Sequence, residues 1–96
     1  RYVSLATIWE LGLKHRKGKL NFSASQLLSG VNELGMTILP ITKEHIVESV
    51  ALTNSHNDPF DLLLLAQAKI EGFALISADK IIIEVGSDYV INARNK

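Results

Sequence analysis

The sequence predicts an α/β domain with a largely parallel sheet, and two observations carry that expectation. Segments with apolar residues at helical spacing alternate with short, continuous apolar runs, the pattern of helices that cover a buried sheet. The stretch from Asn57 to Asp79, N-D-P-F-D-L-L-L-L-A-Q-A-K-I-E-G-F-A-L-I-S-A-D, reads as one such helix feeding one such strand. Asp58 stands at the N-cap position, Pro59 at the first helical position, where its missing N–H costs nothing, and Gly72 at the stop. Phe73 to Ser77 is then expected to be a strand buried on both faces, with Asp79 just past its carboxyl end, the edge where open α/β sheets place their ligands.

The elements follow in order. Arg1-Tyr2-Val3 is β-prone, and Ser4 is placed to cap a helix with Leu5, Ile8, Trp9, Leu11 and Leu13 on its apolar stripe. That helix ends in Lys14, His15, Arg16, Lys17 and Lys19 around Gly18; cations there compensate the helix dipole, or they offer a contact surface for phosphates. Ser23 opens a second helix with Leu27, Leu28, Val31 and Leu34 on one face, closed by Gly35. Met36 to Leu39 is expected to be a strand ended by Pro40, which cannot donate to a ladder. Thr42 caps a third helix running to about Leu52, with Ile46, Val47 and Val50 expected to face inward. Thr53 to Asn57 is a polar loop in which His56 reads as a surface residue, because no second His or Cys stands at metal spacing.

The helix from Pro59 to Glu71 is apolar almost all round and is expected to be buried on several sides. Lys80 to Val85 is compatible with a helical turn or a strand. Gly86 and Ser87 read as a turn, and Tyr89-Val90-Ile91 as a last edge strand.

Composition narrows the class. The chain has 96 residues, 47% of them apolar, which suffices for one domain with a filled core. Ten Lys plus Arg balance ten Asp plus Glu, so a strong overall positive field is not what would hold a nucleic acid, though a local basic patch remains open. There is no Cys and no signal-peptide pattern, which points to a reducing, cytoplasmic setting. No apolar run approaches the ~20 residues of a membrane span.

Four acids are candidates for chemistry: Glu10, Asp58, Asp61 and Asp79. Each has a structural explanation: Glu10 an i,i+4 pair with Lys14, Asp58 an N-cap with Asp61 as reciprocal partner, and Asp79 a cap for the next segment. Together they suggest more. Asp61 and Asp79 belong to adjacent elements whose ends meet at one sheet edge, and converging carboxylates repel unless one is protonated or a cation lies between them. An oxygen-only site selects hard Mg²⁺ or Mn²⁺, which bind phosphates and activate water, a combination suited to phosphodiester hydrolysis. No P-loop, G-x-G-x-x-G, Ser-His-Asp or Cys-His arrangement competes.

V-S-L-A-T-I-W-E-L-G-L-K-H-R-K-G-K-L from Val3 to Leu20, with N-D-P-F-D-L-L-L-L-A-Q-A and L-I-S-A-D, resembles the PIN-domain ribonuclease toxins of the VapC kind. The match spans Tyr2 to about Val90. The resemblance implies a three-layer PIN-like fold and a Mg²⁺-dependent (or Mn²⁺-dependent) endoribonuclease of a bacterial toxin–antitoxin pair. It places Glu10, Asp61 and Asp79 in the positions of three metal-binding, catalytic acids, with Asp58 and Ser77 as motif residues beside them; Ser77 keeps the hydroxyl of the family's usual Thr. Lys14, Arg16 and Lys17 are then expected to steer the RNA backbone. The expected partners are an RNA substrate, a cognate antitoxin and a second copy of the chain.

The family opens with a central strand ending in a further metal-binding Asp. The sequence begins at Arg1, inside a strand-like stretch, so residues 1–96 are expected to form a single PIN-like domain that lacks this strand. The alternative is a catalytically incomplete PIN remnant that serves as a dimerisation or antitoxin-binding module.

Overall fold

In the computed structural model the backbone is described for residues 1–52 and 58–94, and side chains as far as residue 87. The element order is β1 (Tyr2–Ser4), α1 (Leu5–Arg16), α2 (Ala24–Glu33), β2 (Thr37–Leu39), α3 (Lys43–Ala51), α4 (Pro59–Glu71) and α5 (Ala78–Arg94). The class is α/β: among the described residues five helices accompany a two-stranded parallel sheet in which Val3 pairs with Ile38 and Ser4 with Leu39. His56 lies outside the described residues.

Local chemistry sets the helix starts. Ser4 Oγ accepts from Ala6 N at 3.0 Å, and Asp58 Oδ1 from Phe60 N at 2.9 Å. Ser23 with Gln26, and Thr42 with His45, form reciprocal capping boxes, each satisfying two backbone donors that the first turn leaves free. Gly72 ends α4 in the left-handed region at φ 76°, a conformation L side chains rarely adopt.

The core gathers Val3, Ile8, Leu11, Leu27, Val31, Ile81 and Val85 from β1, α1, α2 and α5, with Met36 from the residues just before β2. Gly30 lets α2 and α5 approach: a Cβ there would lie 2.8 Å from Val85 Cγ1. α3 packs chiefly on α4, which also touches α1.

Five expectations are corrected by this arrangement. Phe73 to Ser77 is not a strand; Ile76 N donates to Tyr2 O at 3.0 Å, and one bond does not make a ladder. Tyr89 to Ile91 falls within the backbone of α5, because Gly86 does not turn the chain but continues the helix, under the ring of Phe22. α3 turns its apolar residues outward: Ile46, Val47 and Val50 are 46%, 70% and 79% exposed, while His45 is fully buried. α4 buries only Leu63, Ala66 and Gln67, leaving Leu65 and Ile70 exposed. Trp9, assigned to the inner stripe of α1, stands outside it.

The rotation of α3 has a polar cause. Gln67 is fully buried, accepting from Ser4 Oγ and donating to Pro40 O and His45 Nδ1 at 3.3 Å each. Thr42 N also donates to His45 Nδ1, at 3.0 Å. Buried polar groups are costly unless paired. Once His45 is drawn inward to these partners, Ile46, Val47 and Val50 cannot all face the same way.

Candidate active site

Glu10 sits at mid-helix in α1, on the stripe that also carries Leu13, Lys14 and Lys17 at i+3, i+4 and i+7. α4 starts opposite this stripe. Its N-cap Asp58, with Pro59 and Phe60, closes the other wall of a hollow of about 320 Å³ that Glu10, Lys14 and Lys17 share. Arg16 is exposed in the last turn but lies off the stripe, as helical geometry requires for a residue two positions from Lys14. His15 is occupied locally, its Nδ1 2.9 Å from Leu20 O at the turn after α1.

The acids act on one another here. Burial holds the Glu10 carboxyl above its ordinary value of 4.5; Lys14 works against that shift, and the negative charges of Asp58 and Asp61 add to it. Three carboxylates from two helices are therefore within electrostatic reach. Asp61 also lines a second groove, of about 480 Å³, between α4 and the extended segment Ala74 to Ser77.

Asp79 is placed differently. It is exposed in the first turn of α5, where Ser77 caps the helix by accepting from Lys80 N at 3.2 Å, and it is not among the charges that act on Glu10. Among the described residues no three His, Cys, Asp or Glu side chains stand close enough together to hold a metal ion. The structure thus brings Glu10, Asp58 and Asp61 into one electrostatic neighbourhood and leaves Asp79 apart from it.

The donor set still suits a hard divalent ion. Mg²⁺ takes one or two carboxylates and completes its shell with water and substrate phosphate, and a cation beside Glu10 and Asp61 would favour the ionised form of Glu10, against the burial and the neighbouring acids that raise its pKa.

Sequence reasoning missed the aromatic pair at this site. The rings of Trp9 and Phe60 meet edge to face, with centroids 5.0 Å apart and planes at 71°. The signal was present in two adjacencies, Trp9 before Glu10 and Phe60 before Asp61, once α1 and α4 are known to touch. No helix among the described residues is long and apolar enough to cross a membrane.

A family model described as PIN domain matches residues 1–87 of the chain. No curated protein and no solved structure matches it.

Proposed function

The chain belongs to the PIN-domain family, nuclease-type domains that generally depend on divalent metal and bind RNA, and on that premise we propose that it is a Mg²⁺-dependent (or Mn²⁺-dependent) endoribonuclease, the toxin of a toxin–antitoxin pair of the VapC kind. Glu10, Asp61 and Asp79 would hold the ion, which when bound activates a water and offsets charge on the phosphoryl oxygens. Lys14, Arg16 and Lys17 would draw the RNA backbone to the acids, from the cytoplasm where the substrate resides.

The observation that carries this reading is the raised pKa of Glu10 beside Asp58 and Asp61, with Lys14 on the same helix face. A carboxylate whose pKa is raised beside two further acids, at a hollow, marks a candidate functional site. Ser77 lines the groove that Asp61 also lines, and Asp79 follows two residues later; sharing one ion requires Asp79 to be brought toward Asp61. The test is cleavage of single-stranded RNA in Mg²⁺. Activity that disappears in EDTA, and in Glu10→Gln, Asp61→Asn and Asp79→Asn, supports the proposal; cleavage that persists in all three variants defeats it.

A second reading is favoured by a different observation. Ile46, Val47 and Val50 on α3 and Ile70 on α4 form an exposed apolar surface, and such surfaces mark protein contacts. A catalytically incomplete PIN domain would use it to dimerise or to bind an antitoxin. Sedimentation separates the two readings: a wild-type dimer without RNA cleavage, made monomeric by Val47→Glu, supports the second.

A further inference from the structure

We propose that Trp9 and Phe60 form a stacking platform for one unpaired base of a single-stranded RNA, with Lys14 and Lys17 engaging its flanking phosphates. The inference rests on the nuclease reading above and names how the same site takes its substrate.

Trp9 is the only Trp in the chain, and it is 57% exposed although α1 has a buried stripe available to an indole. It is not loose on the surface. Its edge-to-face contact with Phe60 fixes it against the first turn of α4 and leaves area for a second ring. Phe60 is also a wall of the hollow that holds Glu10, Asp58, Lys14 and Lys17. An aromatic surface, two cations at i and i+3 of one helix face, and the carboxylates of Glu10 and Asp58 therefore adjoin.

A nucleotide matches that mixture. Its base offers a π-face to the indole and its phosphates suit the ammonium groups, while Glu10 and Asp61 would hold an ion able to take a phosphate oxygen. An apolar segment of a protein fits less well, since a partner laid over Trp9 and the adjoining hollow would desolvate the charged groups that line it. Paired bases are already stacked on their neighbours, so the platform selects unpaired RNA.

Because Trp9 is the sole Trp, emission excited to the red of the absorption of the two tyrosines reports on this ring alone. The full chain carrying Asp61→Asn is titrated, in Mg²⁺, with an end-labelled single-stranded RNA, following anisotropy and emission together. Binding should quench Trp9, Trp9→Ala should weaken binding about tenfold, and Trp9→Tyr should restore most of it. Lys14→Ala and Lys17→Ala should each flatten the salt dependence of binding.

The platform is overturned if RNA binds without quenching and Trp9→Ala binds as well as its parent, or if a duplex quenches as strongly as a single strand. It is also overturned if emission shifts with protein concentration and not with RNA, which would make Trp9 a protein contact. A wild-type chain that cuts RNA with a KM that Trp9→Ala leaves unchanged defeats the platform alone. A wild-type chain that cuts no RNA defeats the nuclease reading, and the platform with it. Melting curves of both Trp9 variants show whether they fold, and quenching in the chain that retains Trp9 decides the matter if they do not.

Discussion

His45 and Glu71 are joined across the interface of α3 and α4, ring Nε2 to carboxylate Oε2 at 2.9 Å. Because Thr42 N–H points at Nδ1, the ring proton belongs on Nε2, which donates to the carboxylate. His45 thereby serves as the reciprocal member of a capping box, a cross-helix donor to Glu71 and an acceptor for Gln67. Through Gln67 the chain of bonds continues to Ser4, the residue that ends β1 and caps α1. The site-bearing helices α1 and α4 are thus registered by a buried polar network as well as by apolar packing. On the outer side of the same interface, Lys69 pairs with Glu48.

This network predicts a large effect from a small change. Gln67→Leu keeps the side chain's approximate size but leaves the Ser4 hydroxyl and Pro40 carbonyl without their partner in a dry site. Unsatisfied buried groups cost about 1–3 kcal/mol each, so the expected loss is at least about 2 kcal/mol in a urea titration. Lys69→Ala, which removes the exposed pair, is expected to change stability by less than about 1 kcal/mol. Equal effects from the two variants would show that the buried network does not register the helices.

Gly30 predicts a second asymmetry. Gly→Ala in a helix is ordinarily favourable by roughly 0.5–1 kcal/mol, but here the added Cβ would meet Val85 Cγ1 at 2.8 Å. Overpacking of that kind costs about 1–3 kcal/mol, so Gly30→Ala is expected to be destabilising overall. Adding Val85→Ala makes room, and the double variant should lose less than the sum of the singles. Strict additivity would mean that α2 and α5 do not touch at this point.

These relationships mark where the sequence was readable. Caps were, because a Ser, Thr or Asp before a periodic run acts on its own first turn: Ser4, Ser23, Thr42 and Asp58 each accept the expected kind of backbone bond. The facing of α3 was not, since Ile46, Val47 and Val50 look like a core stripe until the hydrogen bonds of Gln67 and Glu71 to the buried His45 are known. The helix through Gly86 was hidden for a related reason. Gly-Ser reads as a turn locally, and only Phe22 from a distant loop gives Gly86 a packing role. At the site, the acids and lysines were visible as types and spacings, but which of them meet depends on the contact of α1 with α4.

The acids of α4 should separate by role. Asp58 caps the helix, and Asp58→Ala is expected to cost about 0.5–2 kcal/mol with or without metal. Asp61 is the proposed ligand, so Asp61→Asn should cost less stability yet abolish any rise in Tm that millimolar Mg²⁺ or Mn²⁺ produces, an effect expected of an ion bound only by the folded chain. Asp79→Asn should do the same if α5 brings that carboxylate to the ion. A metal response that survives Asp61→Asn but not Asp58→Ala would exchange the two assignments.

Glu10 predicts a pH dependence whose sign is fixed by its surroundings. Burial, then Asp58 and Asp61 against the opposing Lys14, hold its carboxyl above 4.5 in the folded chain. The folded state therefore binds this proton more tightly than the unfolded state. The stabilising contribution is fully present below the unfolded pKa and is lost as pH rises through the folded one. At neutral pH the ionised Glu10 is a net liability without metal, and Glu10→Gln, which cannot ionise, is expected to melt higher. The side chain is partly solvated, so the gain should stay below about 1 kcal/mol, no more than a few degrees for a domain of this size. Near pH 3, where both side chains are uncharged, the two melting curves should coincide. Saturating Mg²⁺ should reverse the order at neutral pH, because the ion stabilises only the chain that still carries the carboxylate. A Glu10→Gln chain that melts lower than wild type at neutral pH in EDTA would show that the attraction of Lys14 outweighs both burial and the neighbouring acids.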